Sequence, residues 1–81
     1  MRLHLSARFL RSYEDAPHVV QKAFQKQGRL LLDNIRHPSL HAKKYDESQG
    51  IWQARVNRDW RFYFTIEGHT YYLQDIVKHP K

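Results

Sequence analysis

The segment Ile51 to Ile66 holds the side chains with most to offer chemically. Read as extended chain, it puts Arg61, Tyr63 and Thr65 on one face. The stretch before them does the same for Ile51, Gln53, Arg55 and Asn57. Guanidinium groups, a phenol and amides gathered on one surface form a platform for a polyanion. Tyr63, and Tyr72 further on, offer rings on which nucleobases can stack. Other readings of these residues stay open. Arg61 also suits a solvated strand position or an ion pair with Glu67 or Asp75, and tyrosines are common in half-buried sheets. The six histidines suggest a metal by number. No cysteine pair and no His-Glu-x-x-His sequence accompanies them, so no metal is expected.

The apolar pattern supplies the elements that must hold this surface. Trp52, Ala54 and Val56, then Trp60, Phe62, Phe64 and Ile66, alternate with the polar set and predict a core wall. Asn57-Arg58-Asp59 reads as the turn between two strands. Upstream, Arg2-Leu3-His4-Leu5 predicts a short strand with Leu3 and Leu5 inward. Ser6 caps a short helix that carries Phe9, Leu10 and Tyr13 on one side. Pro17 suits the first turn of a second helix, capped by Asp15 or Ala16. In that helix Val20, Ala23, Phe24, Gln27, Leu30, Leu31 and Ile35 recur at three- and four-residue spacing. Lys22, Lys26 and Arg29 face outward, as a solvated face or a grip on RNA phosphates or an acidic partner. Gly28 interrupts the helix at about 1 kcal/mol relative to Ala, a sign of close packing.

Pro38 ends helical geometry, and His37-Pro38-Ser39 reads as a loop. Leu40 to Tyr45 predicts an edge strand guarded by Lys43 and Lys44. Asp46 to Gly50 forms a turn, and Glu67-Gly68 joins the central pair to a last strand over Thr70 to Val77. The expected fold class is α+β: two N-terminal helices packed on one face of a twisted, mainly antiparallel four- to five-stranded sheet, one domain over 1–81.

Fourteen Lys and Arg against eight Asp and Glu give a net charge of +6. The excess runs through both halves, with six basic residues against three acidic up to Ile35 and eight against five beyond. It is therefore no basic tail on a neutral body, and it favours an anionic partner, nucleic acid or acidic protein. The absence of cysteine excludes disulfides and thiolate metal sites. No apolar run approaches the roughly 20 residues that span a bilayer, and no signal-peptide core is visible. The expected location is cytoplasmic.

The order of these segments resembles the RelE/ParE superfamily of type II toxin–antitoxin toxins. Arg36-His37-Pro38-Ser39-Leu40, then Lys43-Lys44-Tyr45 and Gly50, is similar to the family's "hPsl…kkL…G" passage. Ile51-Trp52-Gln53-Ala54-Arg55-Val56 and Trp60-Arg61-Phe62-Tyr63-Phe64 resemble its "(Y/W)xxRv…(Y/H)R(v/l)(v/i)Y" passage. Leu73 to His79 is similar to its last strand and terminal histidine.

The resemblance implies a toxin with an antitoxin partner. RelE-, YoeB- and HigB-like members cut messenger RNA on the ribosome without a metal or cofactor, whereas ParE-like members poison DNA gyrase. It also implies roles for residues. Arg61, with Arg55 as a second candidate, would stabilise the phosphorane. His79 would serve as general acid, with Glu47 or Asp46 as base. Lys43, Lys44, Arg55, Arg58 and Tyr63 would bind RNA, with Lys43 and Lys44 falling near lysines that bind RNA or act as base in RelE- and HigB-like members. Active RelE- and YoeB-like members usually carry a tyrosine just beyond this histidine or near the C-terminus, where Pro80 and Lys81 stand here. The resemblance then implies that Tyr63, Tyr45 or a ribosomal base substitutes, that activity is weaker, or that the chain acts only by binding.

Overall fold

A computed structural model describes residues 1–80, and within it a five-stranded sheet runs in the order β1-β5-β4-β3-β2. The strands are β1 (Arg2–Leu5), β2 (Lys43–Asp46), β3 (Ile51–Arg55), β4 (Trp60–Glu67) and β5 (Thr70–Lys78). Neighbours are antiparallel except β1, which lies parallel to β5 with Leu3 opposite Tyr71. The helices are α1 (Ala7–Asp15) and α2 (His18–Asp33), followed by a 3-10 turn at Pro38–Leu40.

One face of the sheet is covered. Phe62 and Phe64 of β4, Leu73 and Ile76 of β5 and Ala54 of β3 meet Phe9 of α1 and Phe24 and Leu31 of α2 in one core. The Phe24 and Phe62 rings stand edge to face at 5.3 Å, a geometry worth about 0.5–1.5 kcal/mol beyond the area it buries. Ser6 caps α1 as expected, its Oγ accepting from the Phe9 N–H at 3.0 Å. Gly28 lies where a Cβ would stand 3.3 Å from Leu3 Cδ1, so its place in the helix follows from the close approach of β1. Gly68 turns β4 into β5 with φ of +58°, a conformation other residues seldom adopt.

Several expectations need correction. Leu5 and Leu10 are partly exposed rather than core. Pro17 is the cap of α2 and lies outside its first turn. Ile35 lies beyond α2, because Asn34 leaves the helix and its Oδ1 accepts from the Arg36 N–H at 2.9 Å. Leu40 does not begin an edge strand. It closes the 3-10 turn with its side chain fully buried, and β2 starts only at Lys43.

Two bulges set which side chains reach the open face. Gln74 has no partner on β4, since Tyr63 pairs with Asp75 and Phe64 with Leu73. The extra residue lets Leu73 and Ile76, three apart, both point into the core. Ser6 fastens α1 to this bulge, donating from Oγ to the Gln74 carbonyl at 3.2 Å. In β2 the register shifts between Lys44 and Asp46.

Candidate functional site

The uncovered face of the central strands carries Gln53, Arg55, Arg61 and Tyr63, the alternation the sequence predicts. Cross-strand pairing places Arg55 directly opposite Arg61 and Gln53 opposite Tyr63. Lys43 on β2 is in turn opposite Gln53. These rungs floor a cleft of about 410 Å³ lined by His41, Ala42, Lys43, Gln53, Arg55, Arg61 and His79. Among the described residues no carboxylate lines it.

Arg61 is the anchor and only 8% exposed. Its Nη1 donates to the carbonyls of Asn57, Arg58 and Trp60 at 2.9, 3.2 and 3.0 Å, so the guanidinium also ties down the β3–β4 turn. That turn is closed independently by Asn57, whose Oδ1 accepts from the N–H groups of Asp59 and Trp60. Nε and Nη2 of Arg61 donate to nothing among the described residues, leaving an edge of the fork for two oxygens of an anion. Burial and then the positive charge of Arg55 pull its pKa below the ordinary arginine value. Arginine still keeps its proton at neutral pH. Two cations face each other across strands without a carboxylate between them, an arrangement that an anion would relieve.

His79 comes to the same cleft through backbone geometry. Lys78 pairs with Trp60 at the start of β4, and the His79 N–H donates to the Asp59 carbonyl at 2.6 Å. Lys43 reaches the cleft from β2. Arg58 lies on a neighbouring hollow with Lys26, Gln27, Ser39 and Arg55. Arg55 lines both, so the cationic surface runs from the cleft to Lys26 in the middle of α2. Tyr63 borders a second hollow of about 370 Å³ with Arg8, Tyr45, Gln49, Ile51, Gln74 and Asp75. Its hydroxyl accepts from Gln53 Nε2 at 3.0 Å, and its ring meets that of Tyr45 edge-on at 5.0 Å.

Three expected residues are not brought together with these. Lys44 pairs with Trp52 and holds its ammonium over that ring at 5.2 Å, on the other face of the sheet from Lys43. Glu47 sits in the β2–β3 turn, at the opposite end of β3 from Arg55, a separation of about 13 Å at the usual strand rise. Asp46 is occupied locally. Its Oδ1 accepts from Ser48 Oγ at 2.6 Å and from the N–H groups of Ser48 and Gln49. The Ser48 hydroxyl, aided by those amides, holds its carboxyl below the usual carboxylate range, the wrong direction for a general base. Nor does Arg61 pair with Glu67 or Asp75. Asp75 instead binds Arg8 Nε at 3.1 Å, the one ion pair among the described residues.

Sequence reasoning missed His41 and Gln53 as site residues. Gln53 carries a usable signal, since it shares the alternating face of Arg55. His41 carries almost none, because its position depends on one left-handed residue after the 3-10 turn.

No protein-family model matches the chain, and no curated protein matches it significantly by sequence. Solved structures do match. A YoeB/ParE toxin from Agrobacterium tumefaciens superposes with a TM-score of 0.79 at 14% identity, over 99% of this chain and 100% of that one. The RelE–RelB complex from Pyrococcus horikoshii gives 0.77 at 11% identity, over 95% and 92%. The chain has the RelE/ParE toxin fold. YafQ from E. coli strain BL21(DE3) extends the set, with 0.72 at 15% identity over 94% of this chain and 90% of that one. The RelE/ParE fold thus accounts for nearly every described residue, including the parallel β1 that the sequence left unplaced. At such identities the likeness concerns the backbone, and the chemistry rests on this chain's own side chains.

Proposed function

We propose that this chain is the toxin of a toxin–antitoxin pair and cleaves messenger RNA on the ribosome. The observation that carries the reading is the cleft itself. Lys43, Arg55 and Arg61 converge on one hollow with His79, and no carboxylate among the described residues neutralises them. Cleavage of an RNA linkage by its own 2′-hydroxyl builds negative charge on the phosphorus oxygens. The free edge of Arg61 and the guanidinium of Arg55 meet that charge as preorganised donors. Lys43 holds a phosphate from the β2 side. His79 donates the proton that the departing 5′-oxygen needs, a task suited to imidazole near neutral pH. The products are a 2′,3′-cyclic phosphate and a free 5′-hydroxyl. Tyr63, joined to the cleft through Gln53, stacks on a neighbouring base.

The antitoxin partner belongs to the same proposal. Its support is the match to toxins solved with antitoxins, the RelE–RelB complexes of Pyrococcus horikoshii and Methanococcus jannaschii, together with a net charge of +6 that an acidic segment would complement.

The test is a cell-free translation reaction with purified protein. Messages truncated within the reading frame are expected when ribosomes are present, with cyclic-phosphate ends. Arg61→Ala is expected to cut about 100- to 1,000-fold more slowly, the usual cost of losing one preorganised charge-stabilising donor. Inhibition of DNA gyrase without any RNA cleavage would overturn the proposal in favour of a ParE-like action.

A further inference from the structure

We propose that His41 is the general base of this site, paired with His79 as the acid; the inference rests on the RNA-cleaving reading above. The cleft holds five charged or titratable groups among the described residues: His41, Lys43, Arg55, Arg61 and His79. Imidazole is the side chain among these whose ordinary pKa lies near neutrality, so the two histidines are the groups suited to exchange protons there. Glu47 and Asp46 lie elsewhere. With His79 assigned as the acid, His41 is the second imidazole of the cleft and takes the acceptor's place.

The backbone around His41 is built to hold it in place. Its φ and ψ of 46° and 41° make it the one non-glycine residue with positive φ among those described. For a non-glycine residue that conformation costs on the order of 1–2 kcal/mol, and such strain collects at functional positions. Leu40 is anchored in the core on one side, and β2 begins two residues later. Behind the turn, Gln27, only 4% exposed, donates from Nε2 to the Ser39 and Arg55 carbonyls at 3.2 and 3.0 Å. Its Oε1 accepts from Ser39 Oγ at 3.1 Å. One buried amide thus fixes the turn that presents His41 against the strand that presents Arg55.

The step balances without another reagent. The 2′-oxygen bonds to phosphorus as its proton passes to neutral His41. The bond from phosphorus to the 5′-oxygen breaks as that oxygen takes a proton from the imidazolium of His79. The pair ends with its protonation states exchanged, and solvent resets them. Lys43, Arg55 and Arg61 are the cations that line the cleft with the two imidazoles.

The experiment is single-turnover cleavage on message-programmed ribosomes across pH, with a second substrate whose scissile 5′-oxygen is replaced by sulfur. Thiolate leaves without an acid. Asn tolerates the left-handed conformation, so His41→Asn keeps the backbone, and circular dichroism checks its fold. His41→Asn is expected to lose about 100- to 10,000-fold in rate, to lose the rise in rate from acidic to neutral pH, and to gain nothing from the sulfur substrate. His79→Asn is expected to recover on that substrate. Added imidazole is expected to restore cleavage by His41→Gly. Cutting by His41→Asn at the wild-type rate with an unchanged pH profile would overturn the assignment while leaving the nuclease reading intact. Rescue of His41→Asn by sulfur would overturn it as well, by making His41 the acid. A wild-type protein that cuts no message would overturn both.

Discussion

A single guanidinium, that of Arg61, both fastens a turn and keeps an edge open to a ligand. Its three bonds to loop carbonyls come from Nη1 alone, and this division has consequences that lysine cannot reproduce. Arg61→Lys is expected to lose activity nearly as fully as Arg61→Ala, because one ammonium cannot hold the turn and a phosphate together. Both variants are expected to lose about 1–3 kcal/mol of stability, measured by urea denaturation, from the Asn57 and Arg58 carbonyls left without their donor. Arg55 behaves oppositely. Removing its charge relieves cross-strand repulsion, so Arg55→Gln is expected to leave stability unchanged or raise it by roughly a few tenths of a kcal/mol. RNA affinity should fall in the same variant. A clear loss of stability would mean that the two cations are not in conflict. Asp46 gives a pH signature. Its carboxyl is held below its unfolded value by the Ser48 hydroxyl and nearby amides. Its contribution is complete above the unfolded pKa, about 4, and drains as pH falls through the lower folded value. Urea midpoints of Asp46→Asn followed through that acid range should show a shallower decline than wild type.

At the level of elements, alternation from Trp52 to Phe64 and the three-four spacing of α2 made the core wall, the covered face and the open face legible in the sequence. Arg55, Arg61 and Tyr63 were legible with them, since a strand residue's face follows from counting by two. What escaped depends on contacts between distant segments. The bulge at Gln74 exists because α1 docks there through Ser6 and because Leu73 and Ile76 must both reach the core. The left-handed His41 follows from Leu40 filling a core pocket that no local pattern announces. Glu47 looked suitable by its place in the order of motifs, yet the length of β3 separates it from Arg55. Gln27 looked like one more position on an apolar helical stripe, and its three bonds to Ser39 and Arg55 join α2, the 3-10 turn and β3. Gln27→Ala is expected to cost about 1–3 kcal/mol in thermal or urea unfolding, from buried groups left unpaired. It should also slow cleavage by disturbing His41 and Arg55 together, whereas Gln25→Ala, on the exposed side of α2, should do neither.

For the whole molecule, a net charge of +6 spread through the chain gives general attraction to RNA, while one face of one sheet gives the attraction a destination. The two contributions separate by salt. If Lys43, Arg55 and Arg61 each hold a phosphate, the logarithm of affinity for single-stranded RNA should fall with the logarithm of salt at a slope of about −2. Arg55→Gln should make that slope shallower by about 0.7. The position of the ligand is the most direct matter to measure. Amide and side-chain NMR shifts should be followed while the protein is titrated with an RNA oligonucleotide whose 2′-oxygens are methylated, so that it binds without being cut. The largest changes should fall on Gln53, Arg55, Arg61, Tyr63, His41 and His79. Changes confined to the outer face of α2, around Lys22, Lys26 and Arg29, with the open face of β3 and β4 undisturbed, would contradict a cleft built for an RNA phosphodiester.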